Sequence, residues 1–139
     1  MKILILNGAN LNLLGTREPD IYGSTSMDDV LTQLKSEYSQ HAIEYFQSNF
    51  EGEIIGKIQE NNFDALVINP GAFTHYSYAI ADALKNLRKP KIEVHISNIY
   101  QREEFRQKSV TAAYTDAVLS GFGTEGYRLA IIHLISTMQ

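Results

Sequence analysis

At 139 residues, 44% of them hydrophobic, the chain suits one domain (residues 1–139) with a single sizeable core. Its 12 basic and 16 acidic side chains give a net charge of −4 without any basic tract, which argues against a nucleic-acid partner, and no stretch approaches the ~20 apolar residues of a membrane span. Cysteine is absent, which excludes disulfides and thiolate metal sites, and a strand directly after Lys2 leaves no secretory leader, so a cytoplasmic location is expected.

The apolar run Ile3–Leu6 predicts a short buried strand. The stretch 7–23, NGANLNLLGTREPDIYG, then mixes asparagines, glycines and a proline that neither a strand nor one long helix accommodates. It reads as a long loop leaving the carboxyl end of the first strand, where open α/β sheets bind ligands. Ser24, Thr25 and Ser26 offer helix N-cap oxygens, and Met27, Val30, Leu31, Leu34 and Tyr38 recur at helical spacing. A second strand is expected over 42–48, a helix over 49–61 with Ile54, Ile55 and Ile58 inward, and a third strand over 65–69 ending at Asn69-Pro70-Gly71. A helix over about 74–87, a strand over 92–96, a charged, short-helical excursion over 97–109, a short strand over 118–120 and an amphipathic helix over 125–137 complete the chain. Alternating strands and helices imply a parallel sheet covered on both faces. Five such units suggest a flavodoxin-like doubly wound sheet of order 2-1-3-4-5, whose polar punctuation after strands one, three and four converges on one edge.

Several residues on that edge suit acid–base chemistry. A guanidinium near a phenol favours the phenolate, so Arg17 beside Tyr22 suggests a tyrosine base; the alternative is a surface Arg17–Glu18 pair with Tyr22 packed beneath. In Glu93-Val94-His95-Ile96-Ser97, alternation puts Glu93, His95 and Ser97 on one face. A carboxylate beside an imidazole favours the charged ring and fixes its tautomer, as a general acid requires, although a purely structural histidine has the same signature. His75 follows the Pro-Gly turn near an expected helix start, where backbone amides hold anions or the ring serves as a cap. Arg102 and Arg106 lie one helical turn apart among glutamates, for which a solvated charged face is the default. No histidine pair has metal-ligand spacing, and the G-x-G-x-x-G phosphate fingerprint is absent. A base, a carboxylate-backed acid and polar orienting groups fit proton abstraction beside a carbonyl with protonation of a departing hydroxyl.

The blocks NGANLNLLGTREPDIYGS, QSNFEGEIIGKI, VINPGAFTHYSYAIADAL, EVHISNIYQREEFRQKS and GFGTEGYRLA resemble, in order and spacing, those of type II 3-dehydroquinate dehydratase. The resemblance covers nearly the whole chain. It implies a lyase that converts 3-dehydroquinate to 3-dehydroshikimate in the shikimate pathway, without cofactor or metal, in a dodecamer of four trimers. By the same resemblance Tyr22 is the base, Arg17 promotes its ionisation, Asn10 holds a water on the enolate oxygen, and His95 is the acid, backed by Glu93. Asn69, His75, Ile96, Ser97 and Arg106 match substrate contacts, and Asp82 one reached from a neighbouring subunit. The chain departs from the family at Ala9, where proline is usual, and at Ala81, where arginine is common. The rival function is a flavin- or nucleotide-binding module with the long loop as phosphate cradle.

Overall fold

A computed structural model describes residues 1–15 and 25–138. Its strands are β1 (Lys2–Asn7), β2 (Ala42–Gln47), β3 (Ala65–Asn69), β4 (Lys91–His95) and β5 (Ala117–Ser120). All pair in parallel in one sheet of order β2-β1-β3-β4-β5, the flavodoxin-like order expected from the alternation of elements. The helices are α1 (Met27–Glu37), α2 (Glu51–Glu60), α3 (Tyr78–Asn86) and α4 (Glu125–Thr137).

The period-2 geometry of β1 explains the two-sided core. Ile3 and Ile5 face one layer with α1 (Val30, Leu31, Leu34) and α4 (Tyr127, Ala130, Ile131, Leu134). Leu4 and Leu6 face the other with α2 (Ile54, Ile58) and α3 (Ile80, Leu84). Each of these four β1 side chains is at most 1% exposed, and burying one is worth about 1.5–3 kcal/mol. α1 starts where expected because Ser26 and Asp29 form a reciprocal capping box.

The helix expected over 74–87 begins later. Residues Gly71–His75 form a 3₁₀ segment, and α3 starts at Tyr78 behind Ser77. Ser77 Oγ accepts the Ile80 N–H (3.1 Å) and donates to Glu51 Oε2 (2.5 Å), so this serine sets the N-cap and ties α3 to α2. His75 therefore lies on the preceding turn rather than at an α-helix start. The 97–109 excursion is short-helical as expected, with 3₁₀ turns at Ile99–Gln101 and Glu104–Arg106.

The register sets the polar carboxyl ends of three strands side by side, with Asn7 opposite Asn69 and, one strand over, Ile68 opposite Glu93. Between β1 and β3 the strand order reverses, and the crevice at such a reversal is the ligand site of doubly wound sheets. The two loops there touch. Gly8 donates its N–H to the Asn69 carbonyl (2.8 Å), and a Cβ on Gly8 would sit 2.0 Å from the Pro70 carbonyl oxygen.

Candidate active site

The crevice opens into a cavity of about 140 Å³ with three walls. Ala9, Asn10, Leu11, Leu13 and Leu14 contribute the first, Asn69, Gly71, Ala72 and His75 the second, and His95, Ile96, Ser97, Ile99, Arg102 and Arg106 the third. Each follows the carboxyl end of β1, β3 or β4 in turn.

Under the first two walls lies a buried hydrogen-bonded network. Tyr127 Oη, fully buried on α4, donates to Asn7 Oδ1 (2.8 Å) and accepts from Asn69 Nδ2 (3.1 Å). Burial pushes the Tyr127 phenol far above the ordinary tyrosine range, which keeps it a donor. Asn69 Oδ1 accepts the Gly71 N–H (3.1 Å), so both ends of its amide are held. Asn10 adopts the left-handed conformation (φ 68°), which asparagine tolerates better than most residues. Its N–H is fixed by Asn49 Oδ1 (2.9 Å), and Gln47 Nε2 holds the Gly8 carbonyl (3.2 Å). These side chains restrain the turn at Ala9.

The third wall carries the titratable pair. His95 Nε2 lies 2.7 Å from Glu93 Oε2, and Glu93 is 0% exposed. A carboxylate only accepts, so Nε2 carries the proton in this bond and Nδ1 is the ring nitrogen left for a ligand. Burial pushes the Glu93 carboxyl up, but hydrogen bonds and charge from His95, with hydrogen bonds from Thr111 and Ser109, outweigh it and hold the group below the usual carboxylate range. His75 Nδ1 donates to the Lys108 carbonyl (2.8 Å). Burial lowers the His75 pKa, as do the charges of His95, Arg106 and Arg102, against an opposing pull from the Lys108 bond.

Arg106 Nε pairs with Glu103 Oε2 (2.8 Å), and Arg102 Nη1 donates to Ser97 Oγ (3.2 Å). Two guanidinium groups and two imidazoles thus face one small cavity of a chain whose net charge is negative, which suits a compact anionic ligand.

Among the residues singled out in the sequence, Asn10, Asn69, His75, His95, Ile96, Ser97 and Arg106 line this cavity, and Glu93 stands behind His95. Tyr22 and Arg17 lie outside the described residues. Asp82 is not brought to the cavity; it sits on the exposed face of α3, whereas Ala81 beside it is 2% exposed. The charged-face reading of Arg102 is corrected, since its side chain is only 17% exposed and lines the cavity. Its spacing of four from Arg106 was the available signal. The apolar wall of Leu11, Leu13, Leu14 and Ile99 was not anticipated either.

The fold is that of a doubly wound α/β protein with its cavity at the point where the strand order reverses. The family model described as "Dehydroquinase class II" matches residues 1–135. A 3-dehydroquinate dehydratase of Thermotoga petrophila is 52% identical over 141 residues, covering 100% of this chain and 98% of that protein. One from Caldicellulosiruptor bescii is 55% identical over 138 residues, covering 96% and 95%. Crystal structures of type II dehydroquinases superpose closely. That from Butyrivibrio crossotus gives a TM-score of 0.93 at 49% identity, covering 97% of each chain, and that from Propionibacterium acnes 0.91 at 44%, covering 97% and 96%. The chain belongs to the class II dehydroquinase family, and it is an enzyme of that family.

Proposed function

We propose that the protein is a hydro-lyase that dehydrates 3-dehydroquinate to 3-dehydroshikimate in the shikimate pathway, by anti elimination through an enolate. The observation that carries this reading is the Glu93–His95 pair at 2.7 Å, set in a cavity with Arg102, Arg106 and His75. Family membership supports the substrate and favours this reading over a flavin- or nucleotide-binding module.

In the proposed reaction the Tyr22 phenolate, favoured by Arg17, removes a proton from the carbon beside the ketone. The electron pair moves onto the carbonyl oxygen, where a water on Asn10 stabilises the enolate. Collapse of the enolate forms the new C=C bond and breaks the bond to the β-hydroxyl. His95 protonates that hydroxyl from Nδ1, and it leaves as water, because hydroxide alone is a poor leaving group. Glu93 retains its negative charge against the imidazolium. The substrate carboxylate is held by the backbone amides of Ile96 and Ser97, with Asn69, His75 and Arg106 orienting the remainder.

The working assembly in this proposal is a dodecamer of four trimers in the cytoplasm, in which Asp82 completes a neighbour's site. Its exposure on α3, one helical turn from Tyr78 (69% exposed), supports a subunit contact on this face.

The test is ultraviolet absorbance of the purified protein with 3-dehydroquinate. Growth of a conjugated-enone band is expected; a stable spectrum under conditions where the protein is folded would rule the reaction out.

A further inference from the structure

Behind the acid lies a group of hydroxyls that the proposed reaction does not use. Glu93 Oε1 accepts from Thr111 Oγ1, and Oε2 accepts from Ser109 Oγ (2.8 Å) and, at greater length, from Thr74 Oγ1 (3.4 Å). Thr74 Oγ1 also lies 2.7 Å from both Ser109 Oγ and Thr111 Oγ1. The Ala112 N–H donates to Ser109 Oγ (3.0 Å), which occupies an acceptor lobe of that hydroxyl and leaves its proton for Glu93. Thr74, Glu93 and Thr111 are each 0% exposed.

Proton counting decides which form of Glu93 this shell fits. Three hydroxyls and the His95 N–H all have protons to donate, and the carboxylate is the one acceptor-only group among them. Ionised, Glu93 receives on both oxygens. Protonated, it would have to donate to a hydroxyl that now donates to it, and it would lose the charge that strengthens the bonds from Thr111, Ser109 and His95.

We infer that Thr111, assisted by Ser109 and Thr74, is a positioning residue that holds Glu93 as a dry carboxylate and so keeps the His95 imidazolium paired and aimed into the cavity. The same segment fixes the neighbouring wall, because the Val110 N–H binds the Thr74 carbonyl (2.7 Å) and the Lys108 carbonyl binds His75. One strand-to-loop contact therefore sets both imidazoles. The charged groups facing the pair are His75 from the 71–75 turn and Arg102 and Arg106 from the third wall, all cationic or neutral. Lys108, in the segment that carries the hydroxyls, is exposed and enters through its backbone. None of these brings a second carboxylate to the pair.

This inference rests on the hydro-lyase reading for its kinetic test. Thr111→Val keeps the side-chain volume and deletes the hydroxyl; Thr111→Ser restores the hydroxyl and drops the methyl. Losing a hydrogen bond to a buried charge should lower kcat by about tenfold or more and leave KM within about twofold. The acid limb of the kcat–pH profile should move up by about one unit, since Glu93 then protonates more readily. Thr111→Ser should recover both. Wild-type kcat and acid limb in Thr111→Val, or equal damage in Thr111→Ser, would overturn the assignment. A measurement independent of substrate and of the variants' folding is carboxyl ¹³C NMR of the unaltered protein. The Glu93 side-chain carboxyl signal, assigned by its loss in Glu93→Gln, should keep its carboxylate position below the ordinary glutamate value of ~4.3. Titration at or above that value would refute the hydroxyl shell, whereas failure of the wild-type protein to form the enone would refute the substrate reading alone.

Discussion

Gly8→Ala tests how the sheet builds the cavity. Gly8 follows β1 where its loop passes over Pro70, and an added Cβ would lie 2.0 Å from the Pro70 carbonyl oxygen and 2.6 Å from its carbon. Real Cβ atoms do not approach closer than 3.0 Å, so one backbone must withdraw by about 1 Å. Neither neighbour is a flexible side-chain end. The loop being pushed carries Asn10, and the opposing one carries Asn69, Gly71 and His75, so the displacement separates two walls of the site. Overpacking of this kind costs about 1–3 kcal/mol, which for a domain of this size lowers Tm by several degrees. A misplacement of about 1 Å is also enough to reduce catalysis by about a hundredfold. The variant should therefore fold, melt several degrees earlier by circular dichroism, and lose about two orders of magnitude in kcat by the enone assay. A variant with unchanged Tm and kcat would show that the contact between the β1 and β3 loops does not set the site.

Tyr127→Phe should destabilise the protein by about 2–4 kcal/mol in urea unfolding, because it leaves both Asn7 Oδ1 and Asn69 Nδ2 buried without their shared partner; a loss under about 0.5 kcal/mol would contradict the network. His75 should titrate by NMR below its ordinary value of 6.5, as the Nδ1–H tautomer when neutral. Its pKa is depressed on folding, so the unfolded chain binds the extra proton; stability from this group is complete above about pH 6.5 and is lost as pH falls towards the folded value. Replacing His75 with asparagine should flatten that part of the pH–stability curve, and an unchanged curve would argue against burial of the ring. Asp82→Ala should raise KM more than it lowers kcat, and wild-type activity should fall on dilution to monomer, checked by light scattering beside steady-state kinetics; a fully active monomer would show that Asp82 is not shared between subunits.

The sheet was legible because its information is local. The apolar runs at 3–6 and 65–69 are short, bounded by Asn-Gly and Asn-Pro-Gly, and cannot be helices of useful length, and their alternation with helical spacing leaves few topologies. Asn69 and His95 were legible for the same reason, since each ends a strand, and His75 follows the Pro-Gly turn after one; Asn10 was singled out by the family resemblance. The start of α3 was not. Thr74 and Ser77 are both acceptable caps on paper, and the choice is made by a tertiary partner, Glu51 on α2, which binds Ser77. Arg102 was hidden by its setting among Glu103 and Glu104, a pattern whose usual meaning is a solvated face; it falls between two short 3₁₀ turns, and its side chain lines the cavity. The hydroxyl shell of Glu93 was invisible in principle, because Thr74 is far in sequence from Ser109 and Thr111, and only the fold brings the two stretches to the same carboxylate.

The division of labour between base and acid is tested most directly by solvent exchange of the ketone's α-proton in D₂O, followed by proton NMR alongside enone formation. With His95→Ala, dehydration should be lost while deuterium still enters beside the carbonyl, since enolate formation needs only the Tyr22 side. With Tyr22→Phe, both exchange and dehydration should stop while 3-dehydroquinate still binds. Normal dehydration by His95→Ala, or exchange at the wild-type rate by Tyr22→Phe, would contradict the account.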